Sequence, residues 1–381
     1  VNTFISPTWV TTSTAVSFKN NITLVRNFDR SWNNEWTNKP GGAKIGYTIQ
    51  VRLPQRFQAT EGQALVQQAI FNQTVPITLN HQFQVGMGWS SADSAMLVEE
   101  VQKRYTSRAG KILANKADVI SGAEVFKSVY FQAGPLSAQA LTNIAVDGVI
   151  TDAVAKLRNV GVPEDLCAVV DPKTQSLLLK VAFNQFNPQK FVSKLWDKGK
   201  FADAALGVDE WYWDPNIPTF TTGTFTTSTP LVDGALQSGS TLAIKGLGTY
   251  SFNAGDQFTI LGVDALNPDS YVDTGDLQTI VITTPVSGSG TAILSISPAL
   301  IPLTNANGTT NALATVFALP ANNASITFVG ATGAVAATMA TQTFRQNLIF
   351  HHEAFAFVMA ELPVPLAGAN SARKSDPDAK L

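Results

Sequence analysis

From Ile45 to Gly88 apolar and polar residues alternate with a period of two. Ile49, Val51 and Leu53 alternate with Thr48, Gln50 and Arg52, and Val75, Ile77, Leu79, Phe83 and Val85 alternate with Thr74, Thr78, Asn80, Gln82 and Gln84. The pattern predicts two strands joined by a polar tip, Gln55 to Gln73, which is too long for a tight turn. A two-stranded arm is marginal by itself in water and needs support from other strands or another molecule. His81 falls where the alternation expects an apolar residue and reads as a partly buried strand histidine with its hydrogen bonds met.

The period then changes to that of a helix. Ser90 with Asp93 resembles a capping box, and Val98, Val101, Tyr105, Ala109, Ile112 and Leu113 recur three and four residues apart. Glu99, Glu100, Lys103, Arg104, Arg108 and Lys111 fall on the other face. A second helical segment is expected from Ala114 to Phe131. A third starts at Pro135 and Ser137 and runs to about Arg158, with Gly161 as its C-terminal stop. A short strand ending at Val170 and a helix opened by Asp171 and Pro172 follow. Ahead of all this, Val1 to Gly42 has poor periodicity and reads as an extended arm with one short helical piece. Its Trp9, Trp32 and Trp36 need a surface to pack on.

From Thr224 to about Ala340 charges nearly vanish, and Thr, Ser, Gly, Val and Ile dominate. Asn253 to Pro302 is a series of short β-branched runs closed by Gly, Asp, Asn or Pro, the signature of a small antiparallel barrel or sandwich. Helical periodicity before it and one long apolar strand after it, within QTFRQNLIFHHEAFAFVMAELPVP, mark it as an insertion in a larger α+β domain. The last residues, ANSARKSDPDAKL, form a polar tail.

Composition narrows the function. The balance of 26 Lys+Arg against 28 Asp+Glu, formal net charge -2, excludes a polycation built to grip nucleic acid. Only 14% of residues are charged while 45% are hydrophobic, which leaves room for neighbours to bury much of the surface. Cys167 is the only cysteine, so an intrachain disulfide and a cysteine-based zinc site are both excluded, and a reducing compartment fits. The chain has neither a signal-type start nor a run long enough to span a bilayer.

Catalytic chemistry has no positive support. His351, His352 and Glu353 are the one tight cluster of usual ligand types, yet consecutive strand residues face opposite ways. GxSxG, HExxH and Walker patterns are absent, and the Gly-rich stretches lack the strand, lysine and helix context of a phosphate cradle. Cys167 sits in a predicted strand with nothing adjacent to lower its pKa and reads as an inert buried thiol. Neither a cofactor nor a metal is expected.

The order of elements, with the strings IPTFTTGTFT, FNAGDQFTILGVDALNP, LQTIVITTPVSGSG, LSISPALI and QNLIFHHEAFAFVMAELPVP, resembles the major capsid proteins of tailed phages with the HK97 fold. The likeness is to the branch typified by the coat protein of the short-tailed Salmonella phages, which carries an insertion domain. It implies an α+β, HK97-like capsid fold with an inserted β-barrel domain. Residues 1–42 would be the N-terminal arm, 43–89 the extended loop that overlaps a neighbour, and 90–137 the peripheral domain with its spine helix. Residues 138–218 would be the first part of the axial domain, 219–340 the insert, 341–365 the return strand and 366–381 the tail.

The resemblance also implies a non-enzymatic subunit that forms hexamers and pentamers of an icosahedral head around dsDNA, in a virion capsid assembled in the host cytoplasm. Its implied partners are its own copies, a scaffolding protein, a portal, a decoration or cement protein, and weak non-specific contact with packaged DNA; none is a membrane. The chain carries no long helical segment ahead of the arm, which implies separate scaffolding or a leader already removed. Intersubunit contacts would fall to Arg52, Arg56, Glu61, Glu99, Glu100, Lys103, Arg104, Asp233 and Lys245. In Val232 to Tyr250, where the related insert has a charged inter-capsomer loop, only Asp233 and Lys245 carry charge. A non-viral, encapsulin-like compartment shell of the same fold is the first alternative. A β-rich hydrolase or carbohydrate-binding module is the second.

Overall fold

The computed structural model describes residues 7–33, 48–57, 62–63, 67, 73–86, 98–134, 143–185, 205–304, 310–331 and 337–359. The fold is mixed α/β. Contacts divide it into two units, Val1–Leu53 with Asn72–Gly122 and His352–Leu381, and Pro54–Phe71 with Ala123–His351.

In the first unit the one short helical piece expected within an extended arm is a longer helix, Pro7–Asn21, followed by short 3-10 turns at Val25–Asn27 and Ser31–Asn33. Its Thr- and Ser-rich sequence has weak helix propensity, and packing supplies what propensity lacks. Trp9 and Trp32 are half-buried, and Trp36 lies outside the described residues. The helix runs alongside a long one made of Val98–Val101, a π turn at Gln102–Thr106, and Ser107–Ser128. The two predicted segments, divided at Ala114, are therefore one helix. The proposed cap at Ser90 and Asp93 lies outside the described residues.

The π turn explains a second difference. The N–H of Ser107 donates to Gln102 O, five residues back, so the turn holds more residues than a helical repeat and rotates everything after it. Val101 and Thr106 are both buried, whereas Ile112, expected inside, is 57% exposed. The buried stripe beyond the turn is small: Thr106, Ala109, Gly110, Ala114 and Ala117.

Small residues admit close approach. A Cβ on Gly110 would lie 2.6 Å from Ser17 Cβ and 2.7 Å from Thr14 O. Ser13 Oγ and Thr106 Oγ1 are 2.7 Å apart, and Ser17 Oγ donates to Ser107 O. Buried Asp118 accepts the N–H groups of Thr23 and Val25, each at 3.0 Å. Further on, the Asp29 N–H donates to Phe355 O and the Phe357 N–H to Asp29 O, with Phe28 and Phe355 rings 5.3 Å apart.

The predicted arm strands are β1, Thr48–Arg52, and β2, Thr74–Thr78, antiparallel with Ile49 opposite Ile77 and Val51 opposite Val75. The second strand ends earlier than the alternation suggests, and His81 lies beyond it, exposed, its ring stacked 6.2 Å from that of Phe83.

In the second unit β3, Leu166–Val170, is buried at every position because it is the middle strand of three. β4, Glu210–Trp213, pairs parallel on one side, and β15, Leu348–His351, antiparallel on the other. The helices Asn143–Asn159 and Pro172–Gln185 bury Ile150, Val154 and Leu178 with Leu166, Ala168, Val170 and Trp211. The first helix ends as its glycine predicts: Gly161 has φ 85, its N–H donates to Arg158 O and that of Val162 to Leu157 O, a Schellman motif. Its expected start at Pro135 and Ser137 lies outside the described residues. Asp171 caps the second helix, accepting the N–H groups of Lys173 and Thr174, with Pro172 its first residue.

Between β4 and β15 runs a β-rich segment. It comprises β5 (Thr219–Thr221), β6 (Thr224–Ser228), β7 (Leu231–Val232), β8 (Gly239–Phe252), β9 (Gln257–Leu266), β10 (Asp273–Ile282), β11 (Val286–Leu300), β12 (Ile326–Phe328), β13 (Ala337–Met339) and β14 (Thr343–Arg345). β5 and β14 pair with each other, Phe220 opposite Phe344, as a two-stranded stalk. The rest is one sheet in the order β12-β9-β10-β11-β8-β6-β13, with β7 on β8. Leu231 of β7 bridges Ser325, the Ile326 N–H donates to Pro230 O and the Val232 N–H to Ala324 O, so the pairing returns to β12. Inside, the fully buried Phe225, Phe252 and Phe258 surround Phe328 at ring distances of 5.3, 4.8 and 5.3 Å. The return stretch is two short strands, β14 and β15, where one long apolar strand was expected. Asn347 between them is turned to the N-terminus of the helix Pro172–Gln185, its Oδ1 accepting the Asp171 N–H at 2.9 Å.

Candidate interaction surfaces

The two-stranded ribbon β1–β2 has no buried residue. Its alternation gives Ile49, Val51 and Ile77 intermediate exposure and leaves Val75 at 45%, with Leu53 at 40% at its end. Apolar side chains on a ribbon with no buried position are the most evident candidate for burial by another molecule. The charge-based reading did not single them out, although the alternation carried the signal.

The sequence-predicted charged positions are dispersed. Arg52 is exposed on β1; Glu100, Lys103 and Arg104 are exposed on the long helix. Arg56 is exposed and its Nη1 donates to Ala314 O at 3.3 Å. Glu61, and the side chain of Glu99, lie outside the described residues. Asp233 and Lys245 come together: Lys245 Nζ is 3.2 Å from Asp233 Oδ1, across β7 and β8. An exposed pair of this kind contributes about 0 to 1 kcal/mol. The turn beside it is closed by Gln237, whose Oε1 accepts the Ala243 N–H at 2.7 Å and whose Nε2 donates to Asp233 O and Ala243 O. On the same β-rich segment Leu236, Leu261 and Ile293 are 65–71% exposed.

Sequence reasoning missed the root of this segment. Asp256 is 2% exposed and accepts the Gly223 N–H at both carboxylate oxygens, 3.0 and 3.1 Å, and the Asn253 N–H at 2.7 Å. Burial pushes its pKa up to about 6 against the pull of those donors. A side chain on Gly223 would collide with Ser251 O and the Asp256 carboxylate, so that position must be glycine. The turn string NAGD was the available signal. Among the described residues, side-chain bonds tie the segment to its own unit, including Gln257 Nε2 to Val129 O at 2.9 Å, Asn267 Nδ2 to Asn159 O at 2.7 Å, and the Arg56 bond above.

The candidate chemistry is not assembled. His351 and His352 are half-buried, Glu353 is exposed, and His352 Nδ1 lies 3.1 Å from Asn27 O. Among the described residues, no three His, Cys, Asp or Glu side chains stand close enough to hold a metal ion. Cys167 is buried, and burial followed by the charge of Glu210 pushes its pKa up to about 12, which keeps the thiol protonated. Among the described residues no helix is long and apolar enough to cross a membrane.

No protein-family profile and no curated protein matches this chain. Solved structures do. The I-domain of the CUS-3 coat protein is 25% identical, covering 27% of this chain and 96% of its own, with a TM-score of 0.22. A structure from Mycobacterium phage Che8 is 12% identical over 72% of this chain and 86% of its own, TM-score 0.39. A virus-like particle from Pyrococcus furiosus is 10% identical over 76% and 92%, TM-score 0.32. Solved structures this chain is similar to thus include a phage coat-protein domain, a phage protein and a virus-like particle.

Proposed function

We propose that this chain is a shell subunit: the major capsid protein of a tailed phage with the HK97 fold, whose copies form hexamers and pentamers of an icosahedral head around dsDNA. The observation that carries the reading is the β1–β2 ribbon, an apolar two-stranded arm with no buried residue, a structure that is marginal until a neighbour covers it. The motif strings from IPTFTTGTFT to QNLIFHHEAFAFVMAELPVP support the phage branch. The ring of pairing through β12, β9, β10, β11, β8 and β7 supports reading the insert as a barrel. Many modest interfaces, repeated around a closed shell, sum to a stable particle. The role is structural and needs no cofactor.

Negative-stain microscopy and light scattering of the purified full chain, with and without a scaffold candidate, test the proposal. Closed particles of uniform size are expected. Monodisperse monomers under both conditions would overturn it. Particles that enclose protein cargo in place of DNA would move the chain to the compartment reading.

A further inference from the structure

An open groove of about 540 Å³ lies between the helix Pro7–Asn21 and the π turn and first turns of the long helix. Lys103, Arg108 and Lys111, all exposed, line it from the long helix; Ser17, Asn20 and Asn21 line it from the other side. From Gln102 to Ala117 the chain has five cations and not one carboxylate, and Pro7–Asn21 adds Lys19 and again no carboxylate. The next acid, Asp118, is buried and holds the N–H groups of Thr23 and Val25. Glu99 and Glu100 lie just ahead of this stretch, but the residues that line the groove include three cations and no acid, so its walls are locally positive on a chain of net charge -2.

We infer that this groove seats the sugar-phosphate backbone of a nucleic acid, without reading its sequence. The π turn brings Lys103 onto the same wall as Arg108 and Lys111, roughly 12 Å of helix from first to last at about 1.5 Å per residue. Cations flanked by hydroxyl and side-chain amide donors are the groups that position phosphates. The groove does not suit an acidic polypeptide, which anchors through apolar side chains, because Val16 is the single apolar residue among those that line it. Insofar as the nucleic acid is enclosed DNA, this rests on the shell reading and gives that shell a point of contact with its contents.

Fluorescence anisotropy with a labelled random-sequence duplex, titrated with the full chain across a salt series, tests it. Three phosphate contacts predict a slope of log affinity against log salt of about −3. Lys103→Gln/Arg108→Gln/Lys111→Gln should lose at least about tenfold in low-salt affinity and most of that slope. Arg158→Gln/Lys173→Gln/Lys180→Gln, equal in charge change and elsewhere, should keep both. A groove variant that binds with wild-type affinity and slope would overturn the inference. So would wild-type binding of polyglutamate in place of the duplex. Microscopy of the same preparations separates the two readings. Duplex binding by a chain that never forms particles sinks the shell and leaves the groove standing; particles from a chain that ignores the duplex do the reverse.

Discussion

Asp256 sits where two demands conflict. Its carboxylate must satisfy three hydrogen bonds from the N–H groups of Gly223 and Asn253, yet it is almost wholly removed from water, and burial wins, with the pKa up at about 6. Because the folded value lies above the unfolded one, protonation favours the folded state. This contribution is fully present below 3.8 and is lost as pH rises through about 6. Relative to Asp256→Asn, which cannot titrate there, the wild type should gain about 3 kcal/mol on going from neutral pH to below that window. Denaturant unfolding of both proteins across pH measures the difference; a flat difference contradicts the assignment. Gly110 offers a second test at the same scale. Gly110→Ala places a Cβ against Ser17 and the Thr14 carbonyl and should cost about 1 to 3 kcal/mol, read from thermal melts. Neither residue was legible in the sequence, since a buried acid and a contact glycine look like any other turn acid and helix glycine until their neighbours are known.

The elements were unevenly legible for a physical reason. Where alternation sets the exposure of successive side chains, as in β1 and β2, the periodicity located the strands. The N-terminal helix carries Thr, Ser and Val where strong helix formers would announce it, and it is helical because the stripe from Thr106 to Ala117 lets it approach. The π turn was invisible for the converse reason: a regular repeat from Val98 extrapolates smoothly to Ile112, and one extra residue turns that side chain out. Asp118 joins these elements. Asp118→Ala leaves the N–H groups of Thr23 and Val25 without their acceptor and should cost about 2 to 6 kcal/mol at roughly 1 to 3 per group. Limited proteolysis should then cut at Arg26 and Arg30 well before the rest of the unit, whereas equal protection in both proteins argues against the tie.

At the scale of the whole molecule, stability and assembly should separate. Val75→Asp alters a side chain that its own chain leaves 45% exposed, so the subunit melt should move by less than about 1 kcal/mol while particles fail to form. A large loss of subunit stability would place Val75 in an internal role instead. The β-rich segment has its own aromatic core and a pairing that returns on itself, so residues 219–345 alone should fold cooperatively, with β-type circular dichroism and one denaturant transition.

The stalk carries a further consequence. Phe220 and Phe344 are strand partners, so more than a hundred residues leave and rejoin the chain at points about 5 Å apart. To the sheet of β3, β4 and β15, the whole segment is one hairpin connection. Lengthening it, trimming it or exchanging it for another closed domain leaves the pairing of the strands on either side in place, and gives up the segment's bonds to Val129, Asn159 and Arg56. The chain therefore enters and leaves this segment through one stalk, the geometry that lets another closed domain stand in its place while β3, β4 and β15 keep their pairing.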